Sequence, residues 1–124
     1  MTNEQIAAAL FTAFEQGDME TVRALCAPEF RARQNLTTEF DVETLIQFST
    51  AVSSVVKNFR YTDIVRSATE SGFVEEHLVC GELSDGSELK IAACVVADIS
   101  DGKITHLREY VDSAAATGLR QALA

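Results

Sequence analysis

The 124-residue sequence predicts a single α+β domain, a curved antiparallel sheet wrapped over helices. Three observations predict it. Apolar residues recur at helical spacing near the start (Ile6, Leu10, Ala13, Phe14). From Phe73 onward they alternate with polar ones at period two. Two acidic-glycine turns, Ser84-Asp85-Gly86-Ser87 and Ser100-Asp101-Gly102, join the last three strands as hairpins.

The elements follow in order. Thr2 caps a first helix, with Gln5 completing a capping box, and Gly17 ends it. Asp18 caps a second helix whose inner side is Met19, Val22, Leu25 and Cys26, and Pro28 forbids its continuation. Residues 30–35 read as a short strand. A third helix starts after Asp41 and runs to about Asn58, with Leu45, Phe48, Val52, Val55 and Val56 inward. Strands follow over residues 60–67, 73–83, 88–99 and 103–111, and a short final helix follows Asp112, its expected cap.

Alternation assigns the faces. Leu89, Ile91, Ala93, Val95 and Ala97 form one strongly apolar face. In the last strand Thr105, Leu107, Glu109 and Val111 share a face, opposite Ile104, His106, Arg108 and Tyr110. In the strand after Gly72 we take Val74, Glu76, Leu78 and Cys80 as the cavity side and Phe73, Glu75, His77 and Val79 as the outer side. Both faces are partly apolar, so a homodimer through the outer face is expected.

Composition excludes several classes. A net charge of −9 with no basic stripe argues against nucleic acid. No apolar run reaches the ~18 residues of a membrane span. The opening Met1-Thr2-Asn3-Glu4-Gln5 has no basic segment, so a cytoplasmic address is expected. Cys26, Cys80 and Cys94 lack metal-ligand spacing and read as buried, reduced thiols. No metal site or cofactor is expected.

A carboxylate on an apolar face is costly unless paired or used, which singles out Glu109 beside Leu107. Glu76 is its expected partner. If both share a small apolar cavity, desolvation and like charge separate their roles into acid and base. Asn35 is expected to join them as the orienter of substrate or water, with Arg33 two residues away. Phe14, Phe48, Leu78, Leu107 and Ile91 supply the apolar wall. His77 is held in reserve, because a one-residue bulge would exchange it with Glu76.

The paired N-terminal helices around Gly17-Asp18, the Pro28 break, the closing Asp101-Gly102-Lys103-Ile104 and Glu109-Tyr110-x-Asp112 together resemble the SnoaL-like proteins. These belong to the nuclear transport factor 2-like, or ketosteroid isomerase-like, superfamily. The resemblance implies a cone-shaped sheet closing over helices around a ligand cavity. Within the superfamily, Arg33-Gln34-Asn35 and Leu107-Arg108-Glu109-Tyr110-Val111-Asp112 are similar to segments of the limonene epoxide hydrolases. That resemblance implies water-positioning roles for Asn35 and Glu109. Arg33, Glu76 and Leu78 depart from the tyrosine, arginine and aspartate of that family, so its Asp-Arg-Asp relay is not reproduced.

The expectation is therefore a cofactor-independent acid-base enzyme for an apolar carbonyl-, hydroxyl- or epoxide-bearing small molecule. Isomerisation, dehydration, cyclisation and hydrolysis all fit. The alternative is a non-catalytic binding or dimerisation module that keeps the fold without the chemistry.

Overall fold

The computed structural model describes residues 1–124. Its elements are α1 (Asn3–Gln16), α2 (Met19–Leu25), β1 (Cys26–Gln34), α3 (Val42–Val55), β2 (Val56–Ala68), β3 (Gly72–Leu83), β4 (Glu88–Ser100), β5 (Lys103–Val111) and α4 (Thr117–Leu123). The strands form one open sheet in the order β1-β5-β4-β3-β2. All neighbours are antiparallel except β1 and β5, which are parallel.

Local chemistry sets the helix starts. The capping box of Thr2 and Gln5 forms in both directions, and Gly17 closes α1 in the left-handed region at φ 69°. Asp18 and Asp41 accept from the backbone N–H of Thr21 and Thr44 to start α2 and α3. The Lys103 ammonium donates to the Ala24 carbonyl at 2.6 Å, placing a cation at the carbonyl end of α2.

Apolar burial holds the layers together. Ile6, Leu10 and Phe11 of α1 pack with Phe30, Phe73 and Val95 of the sheet in the main cluster. A smaller cluster joins Val52, Val56, Leu83, Leu89, Ile91 and Leu119 at the other end. Each large side chain buried in this way contributes about 1.5–3 kcal/mol.

Several boundaries and faces differ from the sequence reading. The second helix stops at Leu25, because Cys26 already belongs to β1. Exposed Pro28 lies in the stretch of this edge strand where the β1–β5 register shifts. The third helix stops at Val55, and Val56 pairs with Leu83. Phe48 is 47% exposed and therefore not part of a cavity wall, since Val52 is the only fully buried residue of α3. Asp112 accepts from the N–H of Ala114 and Ala115, holding a turn; α4 begins later, after Ala116.

The β3 assignment is reversed. Phe73, Glu75 and His77 face Ala97, Val95 and Ala93 directly across the β3–β4 ladder, and directly opposed residues share a face. Since Ala93, Val95 and Ala97 are buried, Phe73, Glu75 and His77 point inward and Val74, Glu76 and Leu78 outward. The ladder runs unbroken from Gly72–Asp98 to Glu82–Glu88, so no bulge is involved. In β5, by contrast, two positions oppose one between the Asp98–His106 and Ile99–Ile104 pairs. That bulge places Ile104 inward with Leu107, and both are buried.

Candidate active site

Strand β2 carries the site because it is bulged twice. Its register with β3 shifts between Lys57 and Arg60 and again between Thr62 and Val65. Each bulge holds an Asx residue in the left-handed region, Asn58 at φ 55° and Asp63 at φ 52°. Tyr61 and Arg66 are five residues apart, so strict alternation would put them on opposite faces. The bulge at Asp63 restores both to the concave face, opposite Val79 and Glu75.

Glu75 is fully buried, at 0% exposure, and is satisfied on both oxygens. Arg66 Nε donates to its Oε1 at 2.5 Å, and His77 Nδ1 lies 2.6 Å from its Oε2. A carboxylate accepts, so the proton of the neutral ring sits on Nδ1, the tautomer that leaves the lone pair on Nε2. His77 is 3% exposed, and Nε2 is its orphan: a buried nitrogen with no hydrogen-bond partner. The ring sits against Tyr61 (centroids 4.4 Å) and Phe11 (5.0 Å, edge-on). A buried, unpaired acceptor costs free energy unless something uses it.

Tyr61 adds a proton donor. Burial pushes its phenol well above the ordinary range, and the charges of Glu109, Glu15 and Glu75 push it further. The hydroxyl therefore stays protonated at any physiological pH.

A polar row crosses all five strands on the concave face: Arg66, Glu75, Val95, Glu109 and Gln34 are successive cross-strand neighbours. Glu109 is half-buried there, and Gln34 Nε2 donates to its Oε1 at 2.7 Å. Leu107 and Ile91 are buried on the same face, and Phe14 is buried on the inner side of α1.

Other candidate residues lie elsewhere. Glu76 is exposed on the outer face, opposite Cys94 and Val65, so it does not share a cavity with Glu109. Half-buried Leu78 lies on that outer face as well. Arg33 pairs in register with Arg108, one residue out of phase with Gln34, and so faces outward too. Asn35 spends its side chain on structure. Its Oδ1 accepts from Val111 N–H at 2.9 Å, while Nδ2 donates to the Val111 carbonyl and to Ser113 Oγ. It clamps the end of β5 and orients no substrate; Gln34 is the residue that touches Glu109. No three His, Cys, Asp or Glu side chains converge as metal ligands.

The profile of the SnoaL-like domain family matches residues 7–107. The chain belongs to the SnoaL-like family. No curated protein matches it significantly. Among solved structures, a candidate polyketide cyclase from Pseudomonas putida KT2440 superposes with a TM-score of 0.82 at 21% identity, covering 95% of this chain and 97% of that one. PrhC from Penicillium brasilianum gives 0.81 at 15% identity, with 98% and 90% covered. An LEH-like epoxide hydrolase from M. tuberculosis gives 0.74 at 18%, with 98% and 91% covered. These likenesses establish the nuclear transport factor 2-like, ketosteroid isomerase-like fold.

In this SnoaL-like chain, the reading from residues alone missed Tyr61, Arg66, Glu75 and Gln34. A usable signal existed for Glu75: the apolar face of β4 is unambiguous, and only the hairpin register was needed to carry it to β3. Arg66 and Tyr61 had no comparable signal, because a bulge without glycine leaves little trace in the sequence.

Proposed function

We propose that the protein catalyses proton transfer on an apolar, carbonyl-bearing small molecule, with His77 as the base. The orphaned Nε2 of His77, aligned by Glu75, is the observation that carries this reading. The lone pair on Nε2 takes a proton from the carbon beside the carbonyl. Glu75 stabilises the imidazolium that forms, and Arg66, paired with Glu75, holds it in place. The protonated phenol of Tyr61 donates to the carbonyl oxygen as negative charge develops there. Returning the proton to a different carbon is isomerisation; handing it from the imidazolium to a β-hydroxyl oxygen as the C–O bond breaks releases water and is dehydration, and both need only these groups. The small-molecule partner suits the fold family, and the chemistry requires no cofactor.

The test follows α-proton exchange of 2-tetralone in D2O by NMR. The wild-type protein should accelerate exchange, and His77→Gln should lose about 10²–10⁴-fold while retaining its circular dichroism. Equal exchange by both proteins removes His77 from the chemistry. A second reading, a binding module without turnover, is favoured by the complete occlusion of Nε2 between rings. On that reading neither protein accelerates exchange, yet both bind the ketone.

The same proposal includes a homodimer through the outer sheet face. That face exposes Val65 (60%) and Tyr110 (37%) and carries a shallow groove of about 470 Å³ whose lining includes Asp63, Glu76, His77, Leu78, Cys94 and Tyr110. Its β2–β3 side is acidic (Asp63, Glu76), and its β1–β5 side carries Arg31 and Arg33, with Arg108 beside them paired to Asp98. A two-fold axis running along the strands would lay each side on its complement.

A further inference from the structure

Charge on the concave face is unevenly matched, and that imbalance bears on which ligands the proposed site accepts. Arg66 is the only cation in the polar row, and it is held by Glu75. Glu109, at the far end of the row, forms no ion pair with any Lys, Arg or His; its one side-chain partner is the neutral amide of Gln34, on Oε1. Oε2 has no protein donor. Glu75 and Glu109 are separated by Val95 alone, so their Cα atoms lie about 10 Å apart, two strand spacings. Tyr61 senses the charge of Glu109 before that of Glu15 and Glu75. Independently, His77 on the same concave face leaves its buried Nε2 without a hydrogen-bond partner.

We infer that the site selects an uncharged or cationic ligand, docks its hydrogen-bond donor on the free oxygen of Glu109, and rejects a carboxylate. An anionic ligand would bring like charge into a partly desolvated space where the only cation is already matched. A hydroxyl or ammonium would instead satisfy Oε2 with a charge-assisted hydrogen bond. The inference rests on the concave face being the ligand site, but not on His77 acting as a base.

Three probes with one naphthalene body test it: 2-naphthol, 2-naphthylmethylamine and 2-naphthoate, titrated into the full chain at pH 7 and followed by amide chemical shifts. The naphthol and the amine should bind, with shifts centred on Glu109 and His77, and naphthoate should bind at least about tenfold more weakly. Glu109→Gln should bring the three affinities within about threefold of each other. His77→Gln should keep the wild-type ranking. Naphthoate binding as tightly as the amine, a ranking unchanged in Glu109→Gln, or no binding by any probe overturns the inference. A retained ranking alongside unaltered tetralone exchange in His77→Gln sinks the catalytic proposal and leaves this one standing.

Discussion

Glu75 shows how burial, charge and function meet in one side chain. A carboxylate with no exposure survives folding only because Arg66 and His77 take both oxygens. Glu75→Gln keeps the shape but strands the Arg66 charge and frees the His77 tautomer. It should cost about 3 kcal/mol in urea unfolding and abolish tetralone exchange together. Tyr61 supplies a pH prediction. Its folded phenol is raised above the ordinary value of 10.0, so the associated stability is present in full below pH 10 and falls as pH rises above it. Between pH 10 and 11 wild-type stability should fall faster than that of Tyr61→Phe, by up to about 1.4 kcal/mol per pH unit, read from urea midpoints. Equal slopes would mean that the phenol ionises as freely in the folded chain as in the unfolded one.

Among the elements, β2 and β5 decide the site through irregularities. The left-handed backbone at Asp63 costs a β-branched residue about 1–2 kcal/mol. Asp63→Val should therefore destabilise by that amount, and Asp63→Gly should be neutral or slightly stabilising. Deleting Asp63 should do something different: it turns Arg66 away from Glu75, and exchange activity should fall even where the fold survives. Asn35 acts on β5 in a related way. Asn35→Ala removes the hydrogen bonds to Val111 and Ser113 and sets alanine at φ 50°, so a loss of about 2 kcal/mol is expected. The β3–β4 hairpin gives the clearest lesson in legibility. Pairing Leu83 with Glu88 across Ser84-Asp85-Gly86-Ser87 would have preserved the expected phase. The actual pair is Glu82–Glu88, enclosing one residue more, with Leu83 N–H bonded to the Ser87 carbonyl. That single step exchanged Glu76 for Glu75 and brought His77 inside.

For the whole molecule, the open sheet leaves one face covered by helices and the other facing outward. In light scattering, the homodimer proposal predicts a particle of about twice the 13.5 kDa chain mass. Tyr110→Lys, at the centre of the outer apolar surface, should shift it to the single-chain mass without loss of helix signal. A wild-type protein that elutes at one chain mass at micromolar concentration would refute the pairing. No helix is long and apolar enough to cross a membrane.

What the sequence determined by itself was everything that rests on local chemistry. The caps at Thr2, Asp18 and Asp41, the turn at Gly17, the two acidic-glycine hairpins and the apolar face of β4 all follow from neighbours within a few residues. Together they were enough to specify the fold class and the SnoaL-like family. The tertiary structure alone decided which polar groups meet. A strand's two faces differ by one residue of register, and that register is set by partners dozens of positions away and by bulges that Asn58, Asp63 and Thr105 absorb without a glycine to mark them.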